Sequence, residues 1–88
     1  MDPQTLKKLS HILEQKFWEV AGATVSAPAR DRWREKCESL GIRRYTGIFE
    51  DDHQIFEEFV VVIDPYPGGN WLEMTKETAE KILSIGMP

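Results

Sequence analysis

The residues able to do chemistry are few and poorly spaced for it. A covalent nucleophile would come from the one thiol, Cys37, and its base from one of two imidazoles, His11 and His53. Such a pair works only within hydrogen-bond reach. Cys37 falls on an apolar helical stripe, whereas both histidines belong to polar stretches distant from it in sequence. This pattern predicts an inert, buried thiol rather than a cysteine hydrolase. Asp51, Asp52 and His53 form the one grouping of metal-ligand types, but they are adjacent rather than spaced to converge on an ion, and they lack calcium-loop spacing. Glu57 and Glu58 are neighbours in an extended stretch, so they point to opposite faces and cannot act together on one substrate. Gly68-Gly69 exposes amides, but it does not lead directly into a helix and suits a turn better than a phosphate cradle. The expectation is a protein without catalytic activity, cofactor or metal.

Binding chemistry is better represented. Six of the eleven basic residues, Arg30, Arg32, Arg34, Lys36, Arg43 and Arg44, lie in one short interval. Enough cations for several phosphate contacts are present there if the fold brings them to one face. The overall charge of −4 hides an asymmetry: residues 1–49 carry nine basic and six acidic side chains, net +3, and residues 50–88 carry two and nine, net −7. Such a split can give a molecule one positive and one negative side. Three aromatics add candidate anchors for a partner. Trp18 stands off the apolar stripe of its helix, and Tyr66 and Trp71 belong to or flank a Pro- and Gly-rich loop.

These residues must be positioned by a small set of elements. Asp2-Pro3 caps a first helix in which Leu6, Leu9, Leu13, Phe17 and Val20 fall within about an 80° sector, and Gly22 ends it. A second helix runs from Pro28 to Leu40 with Gly41 as its stop. Its apolar face is Ala29, Trp33, Cys37 and Leu40; Arg30 and Arg34 line one flank, Arg32 and Lys36 the other. Asp31, Glu35 and Glu38 on the outer side favour a salt-bridged, solvated helix.

The pattern then becomes extended. Ile42 to Phe49 and Gln54 to Ile63 read as two strands of a hairpin with an acidic tip around Glu50-Asp51-Asp52-His53. Phe59 to Ile63 is the longest apolar run and predicts the best-buried strand, with Glu57 and Glu58 guarding it against edge pairing. Asp64 to Asn70 must be a loop, Trp71 to Met74 a third strand, and Thr75 the cap of a last helix with Ala79, Ile82 and Leu83 facing inward. The expected class is α+β in the order ααβββα: two helices, a three-stranded antiparallel meander and a C-terminal helix, with the helices on one face.

One domain is expected from 88 residues, and no window approaches the roughly 20 apolar residues of a spanning helix. MDPQTLKK lacks a basic region followed by an apolar stretch, so no secretory signal is expected, and a single cysteine fits a reducing, cytoplasmic setting. Two functional readings follow. The first is a protein-interaction module, regulatory, adaptor or inhibitory, that binds a protein partner through Trp18, Tyr66 and Trp71. The second is a nucleic-acid-binding protein using the six basic residues, against which the pI of about 5.1 and the interleaved acids weigh. Neither reading involves a membrane or fixes an oligomeric state.

Overall fold

The computed structural model describes residues 1–46, 59–68 and 70–88, and its elements follow the order helix, helix, strand, strand, strand, helix. Helix α1 spans Pro3–Ala21, α2 Ala27–Ser39 and α3 Lys76–Ile85; strand β1 spans Arg43–Tyr45, β2 Phe59–Ile63 and β3 Trp71–Thr75. This is the expected α+β class: the strands form one antiparallel sheet and all three helices contact it.

Side-chain caps start the helices, because the first turn leaves backbone N–H groups without partners. Thr5 N–H donates to Asp2 Oδ1 at 2.9 Å, Ala29 N–H to Ser26 Oγ at 3.3 Å, and Thr78 N–H to Thr75 Oγ1 at 3.1 Å. With Ser26 as its cap, α2 begins at Ala27 rather than at the expected Pro28. The apolar stripes then meet in one core. Leu9, Leu13 and Phe17 from α1 pack with Trp33 and Cys37 from α2, Val60, Val62, Leu72 and Met74 from the sheet, and Ala79 and Ile82 from α3. No helix among the described residues is long and apolar enough to cross a membrane.

The strand order is β1-β3-β2, which differs from a meander. β3 lies in the centre and pairs with both neighbours, Arg44 opposite Leu72 on one side and Val62 opposite Leu72 on the other. β1 and β2 occupy opposite edges, so they do not form the expected hairpin; its acidic tip at Glu50 to His53, and Glu57 and Glu58, lie outside the described residues. The best-buried strand is accordingly β3 rather than β2. Val60 and Val62 face the helices, but Ile63 is 66% exposed at the end of β2, while Leu72 and Met74 are almost fully enclosed. An apolar run identifies a strand by its composition; enclosure depends on what covers its two faces and two edges.

Candidate functional site

The end of α2 delivers two arginines to the sheet through a tight reversal. Gly41 N–H donates to Glu38 C=O at 3.1 Å and Ile42 N–H to Cys37 C=O at 2.9 Å, the paired bonds of a Schellman motif. Gly41 sits at φ 73°, in the left-handed region that this motif requires and that a side chain disfavours. The buried pair Ile42 and Cys37 seals the turn. Strand alternation then sends Arg43 outward and Arg44 to the same side as Ile42, the side covered by helices.

A largely buried guanidinium in that position needs a counter-charge, because an unpaired charge in an apolar setting is costly. Asp64 supplies it. The alternation of β2 places Val60, Val62 and then Asp64 on the inner face, and Arg44 Nε donates to Asp64 Oδ2 at 2.7 Å. The Asp64 side chain has no exposed surface and that of Arg44 is 12% exposed. The other carboxylate oxygen, Oδ1, accepts from Trp33 Nε1 and from Tyr66 N–H, each at 3.0 Å. Three donors from α2, β1 and the β2–β3 loop thus converge on one carboxylate. No buried polar side-chain atom is left unpaired among the described residues.

The same interactions set the β2–β3 loop. The bond from Tyr66 N–H to its i−2 carboxylate is an Asx-type turn, and Pro65 cannot extend the ladder because it has no N–H. Gly68 follows at φ 85°. Asn70 N–H donates to Tyr45 C=O at 3.3 Å, tying the loop's return to β1. Tyr66 is thereby held with its ring edge-on to Phe17 at 6.0 Å and its face 5.5 Å from the Arg44 guanidinium. That spacing is a cation–π contact.

Between α2, β1 and this loop lies an open cleft of about 680 Å³, lined by Arg30, Arg34 and Glu38 from α2, by Gly41, Ile42, Arg43, Arg44 and Thr46, and by Tyr66, Pro67 and Gly68. Four arginines and one carboxylate, that of Glu38, contribute to the lining, with Asp64 buried behind Arg44. The rim cations are loosely held. Asp31 lies 3.7 Å from Arg30 and 3.5 Å from Arg34, and all three are about half exposed. Arg43 lies 5.4 Å from the centre of the Tyr45 ring. Pairs of this kind in water contribute roughly 0–1 kcal/mol and give way readily to a better anion.

The six basic residues singled out in the sequence therefore divide. Arg30, Arg34, Arg43 and Arg44 share the cleft. Arg32 instead caps α1, donating from Nε to Val20 C=O at 3.0 Å and from Nη2 to Ala21 C=O at 3.3 Å, and neither it nor Lys36 lines the cleft. The three aromatic candidates also separate. Tyr66 lines the cleft; Trp18 is 46% exposed on α1 with its ring against Phe17 at 5.1 Å; Trp71 lies in β3 between Tyr45 and Ile63. Asp64, Trp33 and Glu38 join the site although they are not among the residues expected there. The signal for Asp64 and Arg44 was present as alternation, Val60-Val62-Asp64 and Ile42-Arg44.

Cys37 is fully enclosed beside this cluster, and burial first, then the charge of Asp64, pushes its thiol up to about 12. Among the described residues no three His, Cys, Asp or Glu side chains are placed to hold a metal ion. Asp51, Asp52 and His53 lie outside those residues. Comparison with protein-family models, with curated proteins and with solved structures finds no match.

Proposed function

We propose that the protein is a non-catalytic interaction module that docks an acidic segment of a partner protein in the arginine cleft. The observation that carries this reading is that Arg30, Arg34, Arg43, Arg44 and Tyr66 line one concavity, on a chain whose net charge is −4. Local complementarity against an opposite overall charge selects a short acidic stretch by position. Arginine and tyrosine are also the side chains that most often anchor interfaces. Tyr66 keeps its role as an anchor in this reading, whereas Trp18 and Trp71 lie outside the cleft.

The cleft favours an acidic peptide over nucleic acid. Of the six cations considered for phosphate contacts, Arg32 caps α1 and Lys36 does not line the cleft. The remaining four, in a space of about 680 Å³, make a short site rather than a track along a backbone.

A labelled acidic peptide, followed by fluorescence anisotropy at low salt, tests the reading. The double variant Arg34→Gln/Arg43→Gln should weaken binding roughly 5- to 30-fold, about 1–2 kcal/mol for two charge contacts. Trp18→Ala should leave it unchanged. Mixed DNA and RNA oligonucleotides of equal charge form the second arm. Binding of the oligonucleotides without binding of the peptide would replace this reading by the nucleic-acid one.

A further inference from the structure

Resting on that docking reading, we infer that the group the cleft recognises is a phosphorylated side chain within the acidic segment, a dianion rather than a single carboxylate. Arg44 is the reason. Its Nε is fixed by Asp64 at 2.7 Å and its guanidinium lies 5.5 Å from the Tyr66 ring centre, so the plane of the fork is set before any ligand arrives. Those two contacts engage Nε and the π-face of a side chain that lines the cleft. A guanidinium held in this way loses little freedom on binding, and its two terminal donors match two oxygens of a phosphate. Asp64 acts here as a positioning residue.

Charge and direction agree with a dianion. Arg30, Arg34, Arg43 and Arg44 against Glu38, Asp64 and Asp31 leave the cleft at net +1, and at net +2 once Asp31 is displaced. A phosphorylated serine, threonine or tyrosine carries about −1.5 to −2 at pH 7, whereas one carboxylate would neutralise half of the excess. Donors also come from different sides: Arg30 and Arg34 from α2, Arg43 and Arg44 from β1. A tetrahedral group with three acceptor oxygens can use donors converging from several directions, while the two oxygens of a carboxylate lie in one plane. Asp31, exposed and 3.5–3.7 Å from the rim arginines, is the weak partner that such a group would displace.

The test compares three short acidic peptides identical except at one position, which holds phosphoserine, Glu or Ser, together with inorganic phosphate. The phosphoserine peptide should bind at least about tenfold more tightly than the Glu peptide. Arg44→Lys, which keeps the charge but loses the oriented fork, should reduce that preference to about twofold. The exposed Arg34→Gln/Arg43→Gln variant, whose fold is checked by circular dichroism, should also reduce it, so the result does not depend on Arg44→Lys folding. The Nε–Hε signal of Arg44 should shift on addition of the phosphoserine peptide and broaden in Asp64→Asn, reporting the positioning contact directly. Equal affinity for the phosphoserine and Glu peptides would overturn the inference and leave the docking reading standing. Inorganic phosphate binding as tightly as the phosphopeptide would overturn it as well, because the flanking chain would contribute nothing. Failure of all the peptides to bind would remove both.

Discussion

Replacing Asp64 by Ala should be the most damaging single change outside the apolar core. It deprives three donors of their acceptor at once: Arg44 Nε at 2.7 Å, Trp33 Nε1 at 3.0 Å and Tyr66 N–H at 3.0 Å. Removing one member of a buried ion pair costs about 3–5 kcal/mol, because the other charge is left uncompensated. Each neutral donor left without a partner adds about 1–3 kcal/mol where water cannot replace the lost oxygen. Arg44 reaches the open cleft, so solvent relieves part of its penalty, and the contributions do not add fully. A net loss of about 4–6 kcal/mol follows. The whole domain, at roughly 0.05–0.15 kcal/mol per residue, has only about 4–13 kcal/mol to lose.

Asp64→Asn separates the two halves of the interaction. Its amide oxygen can still accept from Trp33 and Tyr66, so it should cost clearly less than Ala, and the difference measures the two neutral bonds. Asp64→Ala combined with Arg44→Met should recover part of the loss, since no charge then remains unpaired. Urea unfolding followed by far-UV circular dichroism gives all four stabilities. An Asp64→Ala protein within about 1 kcal/mol of the parent, or an Asn variant as unstable as the Ala variant, would refute the three-donor account.

Two further outcomes follow from the same packing. Cys37 should resist alkylation at pH 8 in the folded protein and react promptly in urea. Its thiol is raised from 9.0 to about 12 by burial, so its contribution to stability is complete below pH 9 and is lost as pH rises from there towards 12; fast labelling of the native protein at pH 8 would contradict this. Leu72→Ala, in the fully enclosed centre of β3, should cost about 2–5 kcal/mol, whereas Ile63→Ala at the exposed end of β2 should cost under about 1 kcal/mol; reversal of that order in urea unfolding would refute the strand order.

Much of the local structure is legible in the residues because its causes are local. Asp2-Pro3, Thr75 and Gly41 punctuate the helices through caps and a left-handed turn within four residues of each boundary. The 3.6-residue spacing of Leu9, Leu13 and Phe17, and of Ala29, Trp33 and Cys37, marks the buried faces correctly. The separation of Arg30 and Arg34 from Arg32 and Lys36 on the helical wheel also survives, since one pair meets the cleft and Arg32 turns back to cap α1. Strand partners carry no such signature. An apolar run such as Phe59 to Ile63 is compatible with either an edge or a central position, because backbone pairing is indifferent to side-chain identity.

The sequence by itself thus determined the helices and their inward faces, the existence of three strands, the loop between Asp64 and Asn70, and the burial of the one thiol. Tertiary structure alone decided that β3 lies between β1 and β2, and with that the site. Placing β1 and β2 on opposite sides of β3 sets Arg44 and Val62 opposite the same Leu72, and Asp64 follows two residues after Val62 on the covered face. Two charges twenty residues apart then meet at 2.7 Å, where burial obliges them to pair. That pairing orients one arginine, and the other three line the same cleft because α2 reverses into β1 at Gly41.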